Sequence, residues 1–381
     1  SDGGAPVTAR GVVWSSVSLP DTTDMRSLDG SGEGSFTSQI GALDPATTYY
    51  LRAYATNAVG TAYGEEISFT TPAGLPTVLT LGISGLTDSG AVSGGNVTSD
   101  GGSAVLSRGI VWSTASRPDL TDSNTTDGSG TGLFASMMAD LLPGTVYYIR
   151  AYATNAIGTS YGEEIEFVTP AVLPTVSTAI VTAITDSSAI SGGQVLTTGG
   201  AAVTARGVVW STMSNPKLGD SQSIDGSGTG IFASNLTGLE PGVTYYIRAY
   251  ATNGVGTAYG QELSFTTPAV LPTVEISGIS SLTDSSAVIG AEVLNQGGAA
   301  VTARGIVWST NPQPDLNANV IPSGSGTGVF QEAITGLDPG TIYYVRAYAT
   351  NSVGTAYSEE ITVTTPAVLP VVVTNVVTAI T

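Results

Sequence analysis

Short runs in which apolar and polar residues alternate make up most of the chain, and clusters of Gly, Asn, Asp and Pro separate them. In 263–267, Leu and Phe alternate with Ser and Thr, which is typical of a β-strand with one buried face. Similar runs, rich in β-branched and aromatic residues, occur at 189–195, 205–210 and 245–251. No segment shows helical periodicity. The pattern therefore predicts an all-β protein built from short strands.

The whole pattern repeats at a fixed interval of 98 residues, without insertion or deletion. A period of this length matches one β-sandwich domain of about 100 residues with about six or seven strands, and it is too long for a solenoid repeat. The residues in register are Trp14, Trp112, Trp210 and Trp308; Arg10, Arg108, Arg206 and Arg304; Arg52, Arg150, Arg248 and Arg346; and Pro72, Pro170, Pro268 and Pro366. The sequence predicts a tandem array of four Ig-like sandwich modules, each with its own core.

The phase of the repeat sets the predicted module bounds. The predicted segments are 1–72, 73–170, 171–268, 269–366 and 367–381. We expect 1–72 to lack the first two strands of a module and 367–381 to be the first strand of a further module. This phase favours a window from a longer chain over a subunit that completes itself head to tail.

One segment is specific enough to indicate a family. Residues 43–60, Leu-Asp-Pro-Ala-Thr-Thr-Tyr-Tyr-Leu-Arg-Ala-Tyr-Ala-Thr-Asn-Ala-Val-Gly, resemble the E–F corner and F strand of fibronectin type III domains. The first Tyr lies at the corner, where its hydroxyl group can hydrogen-bond back to the chain upstream. The predicted structural corner residues are Tyr49, Tyr147, Tyr245 and Tyr343.

The Trp residues depart from the usual fibronectin pattern. Fibronectin type III domains usually carry their core Trp on strand B, but here that strand contains Ser-Gly-Gly and the Trp falls on the following strand. We expect Trp14, Trp112, Trp210 and Trp308 to replace it as the structural core, although an outward location is the alternative. This version resembles tandem fibronectin-like repeats in very long surface and secreted proteins of Bacteroidota. The resemblance implies an extracellular or cell-surface location and type IX secretion.

Strand parity separates a second set of residues from the core. Tyr50, Arg52 and Tyr54 alternate with Leu51 and Ala53, so we expect them to form an exposed aromatic and cationic strip. Such a strip could bind a glycan or a neighbouring filament. The candidate ligand strip comprises Tyr50, Arg52, Tyr54, Tyr148, Arg150, Tyr152, Tyr246, Arg248, Tyr250, Tyr344, Arg346 and Tyr348. In the simplest arrangement, each Arg pairs with the acidic residues that follow, Glu65 and Glu66 in the first module.

Composition removes most kinds of chemistry. The chain has no Cys and no His, and its 11 Lys and Arg residues are outnumbered by 30 Asp and Glu residues. This excludes thiolate and imidazole catalysis, and a net charge of −19 argues against nucleic acid as a partner. Adjacent carboxylates such as Glu65 and Glu66 are expected to point to opposite faces of a strand, so they cannot act together as acid and base on one substrate bond. No apolar run reaches the roughly 18 residues of a membrane span. We therefore predict no catalytic residues, no metal centre and no membrane insertion.

A glycine-rich loop in each module is a candidate calcium-binding site, which makes calcium a possible cofactor. The loop reads Asp-Gly-Ser-Gly-x-Gly in three modules, and Ser replaces the Asp in the fourth; these positions are Asp29, Asp127, Asp225 and Ser323. One fixed carboxylate is few for calcium, so a plain turn with no cofactor is the favoured interpretation.

Differences between modules concentrate in four segments, called here the variable loops: 19–26, 117–124, 215–222 and 313–320. Any ligand specificity would be located there.

The linkers complete the prediction. Thr-Pro-Ala-x-Leu-Pro joins the modules and fixes φ twice within five residues, which favours a semi-rigid rod. The predicted function is a non-catalytic structural stalk or filament segment of a large extracellular adhesin. The alternatives are adhesive modules that bind glycan or protein, and spacer modules of a secreted polysaccharide-degrading enzyme. The expected partners are other modules of the same chain, neighbouring filaments or surface glycans.

Overall fold

The computed structural model describes residues 1–374, and all its regular elements in that range are β-strands. The predicted all-β fold of tandem sandwich modules is confirmed, because pairs of sheets recur along the chain in one order. Two compact units are present, Ser1–Val172 with Gly199–Ala201 and Leu173–Thr198 with Ala202–Thr381. The module bounds at 72, 170, 268 and 366 stay a prediction. Within residues 1–374, no helix has the length and apolar character needed to cross a bilayer.

Among residues 1–374, thirteen strands belong to the first unit and sixteen to the second. The first unit contains β1 (Ala9–Ser15), β2 (Met25–Arg26), β3 (Thr48–Thr56), β4 (Thr61–Tyr63), β5 (Ile67–Thr70), β6 (Thr77–Thr80), β7 (Ala91–Ser99), β8 (Ser107–Ser113), β9 (Ser123–Asn124), β10 (Gly132–Met138), β11 (Val146–Thr154), β12 (Thr159–Tyr161) and β13 (Ile165–Val168). The second unit contains β14 (Thr175–Thr178), β15 (Ser188–Thr197), β16 (Ala205–Ser211), β17 (Ser221–Gln222), β18 (Gly230–Thr237), β19 (Thr244–Thr252), β20 (Thr257–Tyr259), β21 (Leu263–Thr266), β22 (Thr273–Ser280), β23 (Ser286–Asn295), β24 (Ala303–Ser309), β25 (Asn319–Pro322), β26 (Gly328–Thr335), β27 (Ile342–Thr350), β28 (Thr355–Tyr357) and β29 (Ile361–Thr364).

Each of the last three modules contains a three-stranded and a five-stranded sheet. In the second module the three-stranded sheet has the order β10-β7-β6, and the five-stranded sheet has the order β12-β11-β8-β9 with β13 also paired to β11. All of these pairs are antiparallel. The third and fourth modules repeat the arrangement with β14 to β21 and β22 to β29. The sheets of one module enclose its core, and we call the enclosed side of each sheet its inner face.

The core of each complete module is a separate cluster of buried side chains. In the second module, Ile110 of β8 and Ile149 and Ala151 of β11 are fully buried against Phe134 of β10. Trp210 belongs to the core of the third module, and Trp112 and Trp308 pack against the cores of the second and fourth. Trp14 of the first module is 8% exposed. These Trp residues share the inner face with the small and branched residues of the neighbouring strand.

The first module contains only the five-stranded sheet β2-β1-β3-β4 with β5, so its inner face is open. Leu51 is half-buried and Ala53 is exposed, whereas the equivalent Ile149 and Ala151 of the second module are fully buried. A groove of about 470 Å³ runs along this face. The burial of β3 and of its equivalent β11 therefore depends on the second sheet of the module and not on the sequence of the strand itself.

The segment predicted as a further first strand, 367–381, lies partly outside the described residues. Residues 371–374 occupy the position of the first strand in the other modules, and they form no strand. In the second module this strand, β6, is held by its pairing with β7. A β-strand needs such a neighbour because its hydrogen bonds are made between strands.

Candidate functional site

The candidate strip lies on the outer face of the five-stranded sheet, but only part of it is accessible. Tyr50 and Arg52 of β3 are half-buried, whereas Tyr54 is only 4% exposed. The prediction that the third residue of each strip is exposed is wrong in every module. The buried residues are Tyr54, Tyr152, Tyr250 and Tyr348.

A glycine on the neighbouring strand explains this burial. In the second module, Tyr152 of β11 is paired with Gly109 of β8. A β-carbon at Gly109 would lie 2.2 Å from the carbonyl oxygen of Thr125 and 2.8 Å from the Tyr152 ring. The chain after β9 therefore crosses directly over the glycine, and the Tyr152 hydroxyl group donates a hydrogen bond of 2.8 Å to that same Thr125 oxygen. The ring fills the space that a side chain on Gly109 would occupy.

Burial raises the pKa of two of these tyrosines, Tyr250 and Tyr348. Desolvation raises the pKa of Tyr250 above its ordinary value, and the negative charge of Asp225 adds to the effect. Burial likewise raises the pKa of Tyr348. The Tyr250 hydroxyl group donates a hydrogen bond of 2.8 Å to the Ser223 oxygen, so it is not available to a ligand in solution.

The Arg of the strip is held by an aromatic ring and a backbone carbonyl group. The Arg150 guanidinium lies 4.6 Å from the centre of the Tyr161 ring, and its Nε donates a hydrogen bond of 3.1 Å to the Gly162 oxygen. The same stacking occurs for Arg52 on Tyr63 at 4.6 Å, Arg248 on Tyr259 at 4.7 Å and Arg346 on Tyr357 at 4.6 Å. Stacking of this kind contributes about 0.5–1 kcal/mol at an exposed site.

The expected pairing of this Arg with the following Glu residues is wrong. The one ion pair in residues 1–374 joins the amino terminus of Ser1 to Glu33, at 3.7 Å. In the first module, the Glu66 carboxylate instead accepts hydrogen bonds from the backbone N–H of Leu19 and from the Ser18 hydroxyl group. The acidic residue therefore anchors a variable loop and not the neighbouring cation.

The variable loops are fixed to the same hairpin that holds the stacked Arg. In the second module, Glu164 accepts a hydrogen bond from the backbone N–H of Arg117, and the Tyr161 hydroxyl group accepts one of 3.2 Å from Leu120. Pro118 is buried between these two anchors. The residues anchored by Glu all have left-handed φ angles: 61° at Leu19, 62° at Arg117, 59° at Asn215 and 57° at Gln313. The start of the loop thus has the same backbone conformation and the same Glu anchor in all four modules, while its side chains vary.

The corner tyrosines form one recurring hydrogen bond. Tyr147 is buried and stacks on Phe167 with ring centres 5.8 Å apart. Its hydroxyl group accepts a hydrogen bond of 3.0 Å from the backbone N–H of Leu142, five residues upstream. Tyr49, Tyr245 and Tyr343 accept equivalent bonds of 3.0, 3.0 and 2.9 Å from Asp44, Glu240 and Asp338. The hydroxyl group pins the turn before the F strand.

The Asp of the glycine-rich loop is occupied by hydroxyl groups. In the second module, Asp127 Oδ2 accepts hydrogen bonds from Thr125 and Ser136. The matching bonds from Ser27 and Ser38 lower the pKa of Asp29 below its ordinary value. In the fourth module all three positions change together, to Ile321, Ser323 and Glu332. Residues 1–374 contain no group of three or more acidic side chains placed to hold a metal ion. Calcium binding at these loops stays a prediction.

Sequence reasoning missed the Asn that follows the F strand. Asn155 is 3% exposed, and its Nδ2 donates to the carbonyl oxygens of Gly74 and Asp100 at 2.8 and 2.9 Å. Its Oδ1 accepts from the backbone N–H groups of Ile157 and Gly158 at 2.9 and 3.1 Å. The signal was present in the sequence, since Ala-Thr-Asn recurs in all four modules. This Asn connects the F–G turn to the start of the module.

Comparison with known proteins identifies no family for the chain. No family model matches the chain, and no curated protein matches it. Among solved structures, a crystal structure of chicken CNTN1 FN1-FN3 domains matches with 16% identity over 77% of this chain and 99% of that chain, at a TM-score of 0.32.

Proposed function

We propose that this chain is a non-catalytic structural stalk segment of a large extracellular surface protein, of the kind found in Bacteroidota. The observation that carries the proposal is the way each linker within a unit is hydrogen-bonded to the modules on both of its sides. A stalk needs such junctions, because freely swivelling modules would collapse toward a coil.

The linker backbone in the first unit makes three hydrogen bonds, two with other backbone groups and one with a side chain. The Pro72 oxygen accepts a hydrogen bond of 3.1 Å from Ala46 of the preceding module. Two residues later, the Gly74 N–H donates to the Gly101 oxygen at 2.8 Å, and the Gly74 oxygen accepts from Asn155 at 2.8 Å. The linker is thus bonded to the preceding module at one end and to the following module at the other.

The junction within the second unit repeats this scheme with different residues. The Pro268 oxygen accepts a hydrogen bond of 3.2 Å from Gly242. The Val270 N–H donates to Gly297 at 2.8 Å, and the Val270 oxygen accepts from Asn351 at 2.7 Å. The recurrence in both units indicates that these bonds are a property of the repeat.

Close backbone packing adds to the hydrogen bonds. A β-carbon at Gly298 would lie 2.1 Å from the Pro241 oxygen of the preceding module, and its φ angle of 78° favours glycine. The two turns therefore touch without intervening side chains. Contact at this distance leaves little room for the modules to rock against each other.

Small-angle scattering on the full chain tests the proposal. Four modules in line, each with strands of about 10 residues rising about 3.3 Å per residue, would reach roughly 130 Å. We expect a maximum dimension near that value and the profile of a rod. A compact particle would contradict the proposal.

An insertion provides the matched comparison. Four residues, Gly-Ser-Gly-Ser, placed after Ala269 should broaden the distance distribution, because the linker bonds could no longer form together. The same insertion after Gly219, in a variable loop where a β-carbon would meet no atom within 4 Å, should leave the profile unchanged. Equal profiles for the two insertions would show that the junctions are not rigid.

A second function, adhesion to glycan or protein, is favoured by the charge of the variable loops. Eight of the 11 cations belong to the two repeated Arg sets. The remaining three are Arg26, Arg117 and Lys217, and all three lie in variable loops. Cations placed where the modules differ would give the first three modules binding preferences of their own. Binding of glycans to the full chain, tested on an array, distinguishes this function from a purely mechanical one.

A further inference from the structure

A cleft of about 420 Å³ lies in the second module, between its variable loop and the outer face of the five-stranded sheet. It is lined by Arg117, Arg150, Tyr161, Gly162, Glu163 and Glu164. Its two cations come from different elements, since Arg117 is in the variable loop and Arg150 is on β11. Nothing in the proposed stalk requires this cleft.

Both guanidinium groups are free of ion pairs in the described part of the chain, where the one such pair involves Ser1 and Glu33. Arg150 is stacked on Tyr161 and uses its Nε for the Gly162 carbonyl group, and no described residue accepts a hydrogen bond from its two terminal nitrogens. Arg117 uses only its backbone N–H, which is bonded to Glu164, and its side chain is exposed. The terminal nitrogens of both groups are donors that a ligand can occupy.

The cleft also offers acceptors. Glu163 is exposed and has no hydrogen-bond partner among residues 1–374, whereas Glu164 is engaged by the loop backbone. Arg side chains hold a carboxylate by paired N–H donors, and a free glutamate accepts from hydroxyl groups. An acidic peptide offers carboxylates but few hydroxyl groups that could donate to Glu163. A sugar acid offers both groups on one ring.

We propose that this cleft binds a uronic acid residue of an acidic glycan. The guanidinium groups of Arg117 and Arg150 bind the sugar carboxylate, and Glu163 accepts a hydrogen bond from a ring hydroxyl group. Arg150 is fixed in place by Tyr161 before the ligand arrives, so little side-chain entropy is lost on its side of the site.

The other modules provide natural comparisons because each keeps the stacked Arg and changes the loop residue. The position of Arg117 is occupied by Leu19, Asn215 and Gln313 in the first, third and fourth modules. Gln313 has nearly the same φ angle as Arg117, 57° against 62°, so exchanging the two side chains leaves the backbone unstrained. The fourth module also keeps acidic residues at both Glu positions, as Glu359 and Glu360. Among the residues that line the cleft, it differs at two positions, with Gln313 in place of Arg117 and the buried Ser358 in place of Gly162.

Calorimetric titration of the full chain with trigalacturonate tests the inference. We expect binding at one site per chain, and we expect the fully methyl-esterified trisaccharide to bind at least about tenfold more weakly, because it lacks the carboxylate charge. Arg117→Gln should raise the Kd for trigalacturonate about tenfold without changing the melting temperature. Tri-glutamate peptide should bind more weakly than trigalacturonate.

An exchange of side chains completes the experiment. Gln313→Arg should add a second site, and the double variant Arg117→Gln with Gln313→Arg should recover one site. Equal affinity for the acid and its ester, full affinity in Arg117→Gln, or no recovery in the double variant would each overturn the inference. The stalk proposal is tested by scattering alone, so either proposal can fail without the other.

Discussion

At the residue scale, the least replaceable positions are glycines covered by another part of the chain. Gly207 of β16 is paired with Tyr250 and lies under the Ser223 carbonyl group, as Gly109 does under Thr125. The tyrosine, the glycine and the crossing segment form one packed layer. Each depends on the other two, because the ring has room only where there is no side chain.

Gly207→Ala tests this packing. The added β-carbon would lie 2.3 Å from the Ser223 oxygen, so the crossing segment must move and the hydrogen bond from Tyr250 is strained. We expect the free energy of unfolding to fall by about 1–3 kcal/mol, as for other overpacked sites.

Gly254→Ala in the same module is the control for that substitution. No atom lies within 4 Å of its β-carbon position, and the first two modules carry Ala there. Its effect should stay within about 0.5 kcal/mol. Urea denaturation of both variants gives the comparison, and similar losses in the two would contradict the packing argument.

Sequence reasoning correctly predicted which face of the strand each side chain lies on, because periodicity determines it. It failed to predict burial where another segment of the chain covers the outer face of the sheet. Parity correctly separated Leu51 from Tyr54, since neighbouring strand residues point to opposite faces. Parity does not say what covers a face, and the segment that crosses over Tyr54 contains Ser and Asp, which gave no apolar signal. The glycine paired with each buried tyrosine was the available signal, because a small residue opposite a large one indicates close packing.

At the element scale, the decisive segments are the linkers and the turns that hold them. The fold of a module follows from its strands, but the junction depends on side-chain amides that no hydrophobic pattern reveals. Asn351 bonds a linker carbonyl group, a loop carbonyl group and two backbone N–H groups of its own turn. A single buried side chain therefore ties three segments together.

Asn351→Asp removes only the donor half of this arrangement. The carboxylate can still accept from the turn, but it cannot donate to the Val270 and Gln296 oxygens and would face them with a negative charge. We expect a loss of about 1–3 kcal/mol in the free energy of unfolding, measured by denaturant titration.

Asn311→Asp supplies the same change of charge at an exposed residue whose side chain makes no hydrogen bond within residues 1–374. It should leave the unfolding midpoint nearly unchanged. Equal effects of the two substitutions would mean that charge, and not the bonds of Asn351, determines the loss.

At the scale of the whole molecule, stability is divided among separate cores. The buried clusters of the second, third and fourth modules share no residue. The open inner face of the first module shows that one sheet alone does not bury its apolar side chains. Its Ala53 is exposed, whereas the equivalent Ala151 and Ala249 are fully buried. The sequence predicted this division through its period. It could not predict the cleft of the second module, which depends on how one variable loop folds over one stacked Arg.

The near absence of ion pairs in residues 1–374 has a consequence for the solvent in which the chain is stable. Salt screens attraction and repulsion alike, and from about 0.01 M to about 1 M the Debye length falls from roughly 30 Å to roughly 3 Å. Because the net charge is −19, screening mainly weakens the repulsion between acidic side chains. It has little effect on guanidinium groups stacked on aromatic rings or on hydrogen bonds to carbonyl groups. The melting temperature should therefore rise from dilute buffer to molar sodium chloride, and a fall would show that hidden ionic attractions hold the modules. Brine, which weakens many proteins built on surface charge pairs, is a favourable medium for this one.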